Sequence, residues 1–220
     1  MRRFYELLQD LALRLGGTRT LADCAATDWP AHGVYFFFEP GQLRVDGTPR
    51  IVRVGTHALR PTSHTTLWTR LAQHRGQVAG ERPGGGNHRG SVFRHHVGTA
   101  LLASGSWPEH IAATWRQLKV DRTARQAEYP LERAVSDHIG KMPLVWLPVT
   151  DRHLRGLIER NSIALLSCRS GCHDQPSHTW LGLAADNHKV RTSGLWNSHH
   201  VDDHYEEAFL DELQRLADRV

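Results

Sequence analysis

The sequence predicts an α/β (α+β) fold: a small, mainly antiparallel sheet flanked by helices, with a helical insertion and a helical C-terminal elaboration. Three observations carry this. Two short β-branched and aromatic runs, "GVYFFF" (33–38) and "RIVRVG" (50–55), flank an Asp46-Gly47 pair that suits a hairpin turn. A third such run, "PLVWLPV" (143–149), follows much later. Around these runs lie segments whose apolar residues recur at helical spacing.

Taken in order, residues 2–16 read as an amphipathic helix with Phe4, Leu7, Leu8, Leu11 and Leu15 on one face, stopped by Gly16-Gly17. "EPGQ" (39–42) reads as a turn between strands. Residues 65–75 form a helix with Thr65 or Thr66 as its N-cap and Leu67 and Leu71 turned inward. The glycine-rich stretch 76–90 is a loop. Ser91 caps a helix over 91–103, Pro108 opens another, and a further helix spans about 128–139. Asp151 caps a helix over 151–166. The segment 167–202 is loop-rich with a short strand near Trp180, and 203–218 closes the chain as a helix. The 220 residues fit one domain: a core over about 30–150, an insertion over about 76–127 and an elaboration over 151–220.

Composition narrows the partners. Forty per cent of residues are hydrophobic, enough for a core of its own. The net charge is +4, and lysine occurs only at 119, 141 and 189, so the cationic charge is carried by arginine, whose planar fork fits phosphate. Apolar runs are too short to span a bilayer and no secretory leader pattern opens the chain. Three cysteines form no disulfide framework, which points to a reducing compartment and a cytoplasmic location. Cys168, Cys172 and His173 offer a zinc spacing that Asp174 or His178 would complete; free thiols are the simpler reading.

The chemistry concentrates in four places. Tyr35 lies in the first strand and Arg53 in the second, just before Gly55. Arg70 and His74 are four apart, hence on one helical face. Glu128 and Glu132 share a face of a later helix. A guanidinium can stabilise charge building on a phosphate, a phenol or imidazole can accept a proton from water, and one carboxylate is enough to hold a hard divalent cation that keeps its waters.

In this order, "GVY", "RVG", Arg70, His74 and the helix "LERAVSDHI" resemble the GIY-YIG nuclease family over roughly residues 30–150, most nearly its longer, restriction-endonuclease-like members. The resemblance implies a divalent-metal-dependent DNA endonuclease using Mg²⁺ or Mn²⁺. Tyr35 would be the general base, Arg70 the transition-state arginine with His74 as its helper, and Glu132 the metal ligand. Arg53 stands where the family usually has tyrosine, so it would bind phosphate there; without a competent site the chain would be a nucleic-acid-binding module. The chain also departs in the long stretch between His74 and Glu132, where no third strand is evident. Double-stranded DNA is the expected partner, no membrane is, and a double-strand cut admits a homodimer. The insertion suits a DNA grip: Asn87, His88, Arg89, Arg94, His95 and His96 flank a glycine-rich hinge and a helix start. His57, Arg75 and Asn197 complete the expected nucleic-acid-binding set.

Overall fold

The computed structural model describes residues 1–168 and 174–220. Four strands form one sheet: β1 (Arg19–Thr20), β2 (Gly33–Leu43), β3 (Pro49–Gly55) and β4 (Pro143–Pro148). Their order is β1-β4-β2-β3 and every pair is antiparallel. The helices are α1 (Arg2–Arg14), α2 (Leu67–Arg75), α3 (Val92–Ser104), α4 (Glu109–Trp115), α5 (Arg122–Ala127), α6 (Tyr129–Gly140), α7 (Arg152–Leu166), α8 (His188–Ser193) and α9 (Phe209–Ala217). Among the described residues no helix is long and apolar enough to cross a membrane.

Strand alternation sorts β2 onto two cores. Val34 and Phe36 enter a core shared with α1, α7 and α9, through Phe4, Leu8, Ile158 and Leu213. Tyr35 and Phe37 enter the opposite core, with Leu71, Phe93, Trp115, Val135 and Trp196. Both faces of the sheet are therefore covered, which is why β2 reads as a continuous apolar run rather than an alternating one.

Several expectations change in detail. "EPGQ" is not a turn. The strand continues to Leu43, and the register shift after Phe38, with Gly41 at φ +81°, absorbs the irregularity as a bulge. The reversal comes at Gly47, also at φ +81°, where the Asp46-Gly47 pair predicts it. Thr66 is the N-cap of α2, its hydroxyl accepting from the Thr69 amide at 3.1 Å, and Ser91 caps α3. The short α5 was not expected; Asp121 caps it by accepting from Ala124 N at 2.7 Å. No strand forms near Trp180: a single 3₁₀ turn over Leu181–Ala184 leads into α8. The last helix starts at Phe209 rather than 203, because the Glu206 amide donates to Asn161 Oδ1 at 2.6 Å instead of to a helical partner. Cys168 is buried and disulfide-bonded, which corrects the reading of free thiols there; Cys172 and His173 lie outside the described residues.

Candidate active site

The site begins with the β2–β3 pairing. Tyr35 sits opposite Gly55, and its ring lies across that glycine. A Cβ at 55 would collide with the phenol, which is the physical reason for glycine there. Gly33 is similarly constrained by the Leu147 carbonyl of β4. The Tyr35 hydroxyl meets Nε2 of His74 at 2.8 Å, and Nδ1 of His74 meets Ser91 Oγ at 2.8 Å. One tautomer has the phenol donating to Nε2 while Nδ1–H donates to Ser91; the other reverses both bonds. Burial, reinforced by Arg70, Arg53 and Arg94, holds His74 well below the usual imidazole range, so it is neutral at physiological pH. Phe37 and Phe93 wall the imidazole edge-on.

Arg53 lies beside Tyr35, with its guanidinium over the Phe93 ring at 5.4 Å. Its Nη1 donates to the Trp196 carbonyl at 2.7 Å, while its buried Nε has no hydrogen-bond partner among the described residues. Asn197, next along, clamps Val54: its Oδ1 accepts from Val54 N at 3.1 Å and its Nδ2 donates to Val54 O at 2.9 Å. Asn197 thus reaches the site, as a brace for the edge of β3. Arg70 is half-exposed; among the described residues it bonds to Gln73 Oε1 at 3.0 Å and Gly90 O at 3.3 Å. It lines a groove of about 250 Å³ together with Thr56, His57, Ala58, Thr65 and Gln73. His57 is buried in the groove wall: Nε2 accepts from Gly33 N at 3.4 Å and Nδ1 donates to Thr65 O at 2.8 Å. Burial depresses it to about 4. It splices the end of β3 to the start of α2 rather than facing solvent.

Glu132 reaches this group only through Arg94, which also donates to the His74 carbonyl. Its Oε1 accepts from the His88 amide at 2.8 Å and sits 2.9 Å from His88 Nδ1; its Oε2 takes Arg94 Nε at 3.0 Å and Nη2 at 2.5 Å. Burial opposes its ionisation, but His88 and Arg94 outweigh that and hold it below the usual carboxylate range. Both oxygens are thus engaged by protein groups. Arg94 is itself fully buried, its other donors going to His74 O, Glu132 O and Ser136 Oγ. His88 stacks on Trp115 at 3.6 Å. Arg89 forks onto both Glu128 oxygens at 2.7 and 2.8 Å and also reaches the Thr114 and Gln117 carbonyls. Asn87 caps the 3₁₀ turn over His88–Gly90, and Arg75 lies over Trp68 and donates to Cys24 O. Of the expected nucleic-acid-binding set, His88, Arg89 and Arg94 therefore lock the insertion onto α6.

The carboxylate that does approach the site is Glu159, on α7. Its Oε1 accepts from Thr56 N, one residue beyond Gly55, at 3.1 Å. Burial raises it above the usual carboxylate range even though Arg53, Arg70 and His200 lie near enough to oppose the shift. Its second oxygen accepts no hydrogen bond from the described residues. Its helix, α7, directly follows β4, but nothing in the sequence sets its glutamate apart from the one on α6.

A GIY-YIG domain model matches residues 1–220 of the chain. No curated protein and no solved structure matches it. The whole chain is covered by that match, and the pairing of β2 with β3 sets Tyr35, the last residue of "GVY", opposite Gly55, the last residue of "RVG", with His74 bonded to the Tyr35 hydroxyl. The chain belongs to the GIY-YIG nuclease family.

Proposed function

We propose that the chain is a divalent-metal-dependent DNA endonuclease, restriction-like in cutting duplex DNA, and that Glu159, not Glu132, is its cation-binding carboxylate. One observation carries the reading: Tyr35 with its imidazole, two arginines and an under-paired carboxylate converge at the end of the β2–β3 hairpin. The carboxylate fits a hard cation, since a single protein carboxylate with waters and substrate phosphate completing the shell is typical of Mg²⁺ sites. Bound there, Mg²⁺ or Mn²⁺ would supply Lewis-acid stabilisation of charge at the phosphate and leaving oxygen.

The chain's own residues do the rest. Arg70, at the open groove, binds the scissile phosphate. Arg53, held by the Trp196 carbonyl and Phe93, presents charge to the same phosphate from below. Tyr35 takes a proton from the attacking water and passes its own to neutral His74, a general-base role worth roughly 10²–10⁴-fold. Phe37 and Phe93 keep the imidazole in line and exclude water from it.

A second reading, nucleic-acid binding without cleavage, draws on the full burial of Tyr35 and His74 beneath the groove and on arginine at position 53. Supercoiled plasmid and oligonucleotide duplexes incubated with the purified chain separate the two. The endonuclease reading expects Mg²⁺-dependent cutting that EDTA abolishes and that leaves 3′-hydroxyl ends. Salt-sensitive binding with intact DNA across metals and salt would establish the second reading instead.

A further inference from the structure

The groove beside Arg70 is lined by Thr56, His57, Ala58, Thr65, Arg70 and Gln73. Its polar side chains sort into those already paired and those left open. The Thr56 hydroxyl donates to Gly33 O at 2.7 Å. His57 uses both ring nitrogens, on Gly33 N and Thr65 O. The Thr65 hydroxyl shares a hydrogen bond with Ser63 Oγ at 3.2 Å. What remains are donors on α2: Nε and Nη2 of Arg70 and the amide nitrogen of Gln73, none of which bonds to a described residue.

The Gln73 amide has a fixed sense. Arg70 Nη1 donates to its Oε1 at 3.0 Å. A guanidinium carries donors only, so the amide oxygen faces Arg70 and the NH₂ group faces away from it. The two residues are three apart on α2, hence neighbours on its surface. Arg70 Nη1 also reaches Gly90 O at 3.3 Å, so two acceptors hold one guanidinium nitrogen and leave the others for a ligand. Two open donor groups side by side suit a ligand whose oxygens only accept, such as a phosphodiester.

We propose that Gln73 is a further substrate-binding residue: its Nε2 donates to one non-bridging oxygen of the scissile phosphate that Arg70 holds. The proposal rests on the nuclease reading. Arg70 supplies charge, and Gln73 supplies direction, because the bond to Arg70 sets which way its donor hydrogens point. A contact to one of the two non-bridging oxygens fixes the rotation of the phosphate about the guanidinium, which a charge alone leaves open. In-line attack by water needs that rotation fixed.

The test first locates the cut by sequencing the ends of a cleaved duplex. Binding in EDTA, where no cutting competes, is then measured with three duplexes. One has an ordinary phosphate at the cut, and the others are the two methylphosphonate diastereomers, in which one or the other non-bridging oxygen is a methyl group. Gln73→Met removes the amide at similar length; Gln73→Glu keeps an oxygen for Arg70 but has no donor. Both variants should bind the ordinary duplex roughly tenfold or more weakly, the effect of one hydrogen bond to a charged group, with the melting temperature unchanged. The difference between wild type and Gln73→Met should vanish on one diastereomer and persist on the other. Unchanged binding by Gln73→Met, or an equal loss on all three duplexes, would overturn the proposal. Wild-type binding by Gln73→Glu beside a loss in Gln73→Met would place the role in the hold on Arg70 and overturn the donor assignment. Wild-type protein that cuts no duplex would overturn the nuclease reading, and the proposal with it.

Discussion

Glu132 and Glu159 are both mostly buried glutamates on helices that pack against the same sheet, yet their surroundings are opposite. Glu132 is met by Arg94 and His88 on both oxygens, and its charge is held on. Glu159 has one backbone donor, and burial pushes its proton on despite two arginines and a histidine nearby. A fully paired carboxylate is a structural tie. An under-paired one has lone pairs to offer and carries a folding cost when ionised. The contrast shows why residue type and helical register are insufficient to assign a metal ligand: the donors around each oxygen decide.

Several measurements break or sharpen this contrast. The largest stability effect belongs to the paired side. Glu132→Gln leaves Arg94 buried beside a neutral amide, and breaking one partner of a buried pair typically costs about 3–5 kcal/mol. At about 2–4 °C per kcal/mol for a chain of this size, thermal melting should drop clearly. An unchanged melting temperature would mean that the network around Arg94 does not hold the insertion to α6.

The largest kinetic effect short of the carboxylates is expected at Tyr35→Phe. Cleavage should fall roughly 10²–10⁴-fold, while stability changes by only about 1–3 kcal/mol, the range for a buried partner such as His74 Nε2 left unpaired. Single-turnover cleavage and denaturant unfolding on the same preparation separate the two quantities. Cutting that survives the substitution would remove the phenol from the mechanism.

Acid stability comes next. His74, His57 and His96 are all held below the ordinary imidazole value, His57 at about 4 and His96 at about 3. Their unfolded forms take up protons near pH 6.5 while the folded forms do not. Their contribution to stability is therefore present above pH 6.5 and lost as pH falls from there toward 4 and then 3. Glu159 runs the other way: its raised folded value costs stability as pH rises above the unfolded carboxylate value of about 4.3. Glu159→Gln should accordingly be at least as stable as the wild type at pH 7, with the difference shrinking in acid. Melting curves from pH 4 to 8 would show both slopes; a flat profile would mean these groups are solvated.

The smallest effect is expected at Asn197→Ala, which frees the Val54 amide and carbonyl at the edge of β3. A loss of about 1–3 kcal/mol fits a backbone pair left unsatisfied, with slower cleavage because Arg53 and Gly55 flank Val54. Hydrogen exchange at the Val54 amide reports the loosening directly.

Much of this was legible in the sequence, because it is set by local chemistry. The β2–β3 hairpin follows from Asp46-Gly47 between two β-rich runs, and α2 follows from Thr66 and the leucines at 67 and 71. Tyr35 on β2, and Arg70 and His74 on one face of α2, follow from strand and helix spacings. Glu159, the proposed cation ligand, is not set apart in the sequence because α6 and α7 each present a glutamate on an amphipathic helix, and only tertiary packing distinguishes them. The same holds for Arg94 and His88: basic residues beside a glycine-rich loop read as solvent-facing, but Glu132 and Ser136, some forty residues on, draw them inward. The packing of that loop is likewise long-range. Gly86 admits no Cβ because the Arg94 guanidinium lies against it.

The central claim concerns which glutamate serves the chemistry, and a single crossover measurement addresses it: Mg²⁺-dependent cleavage of a duplex by Glu159→Gln and by Glu132→Gln, each assayed well below its own melting temperature. The account predicts that folded Glu132→Gln still cuts, while Glu159→Gln loses at least about 100-fold, the size expected when several kcal/mol of metal-assisted stabilisation disappear. Full activity in Glu159→Gln together with a dead but folded Glu132→Gln would contradict it.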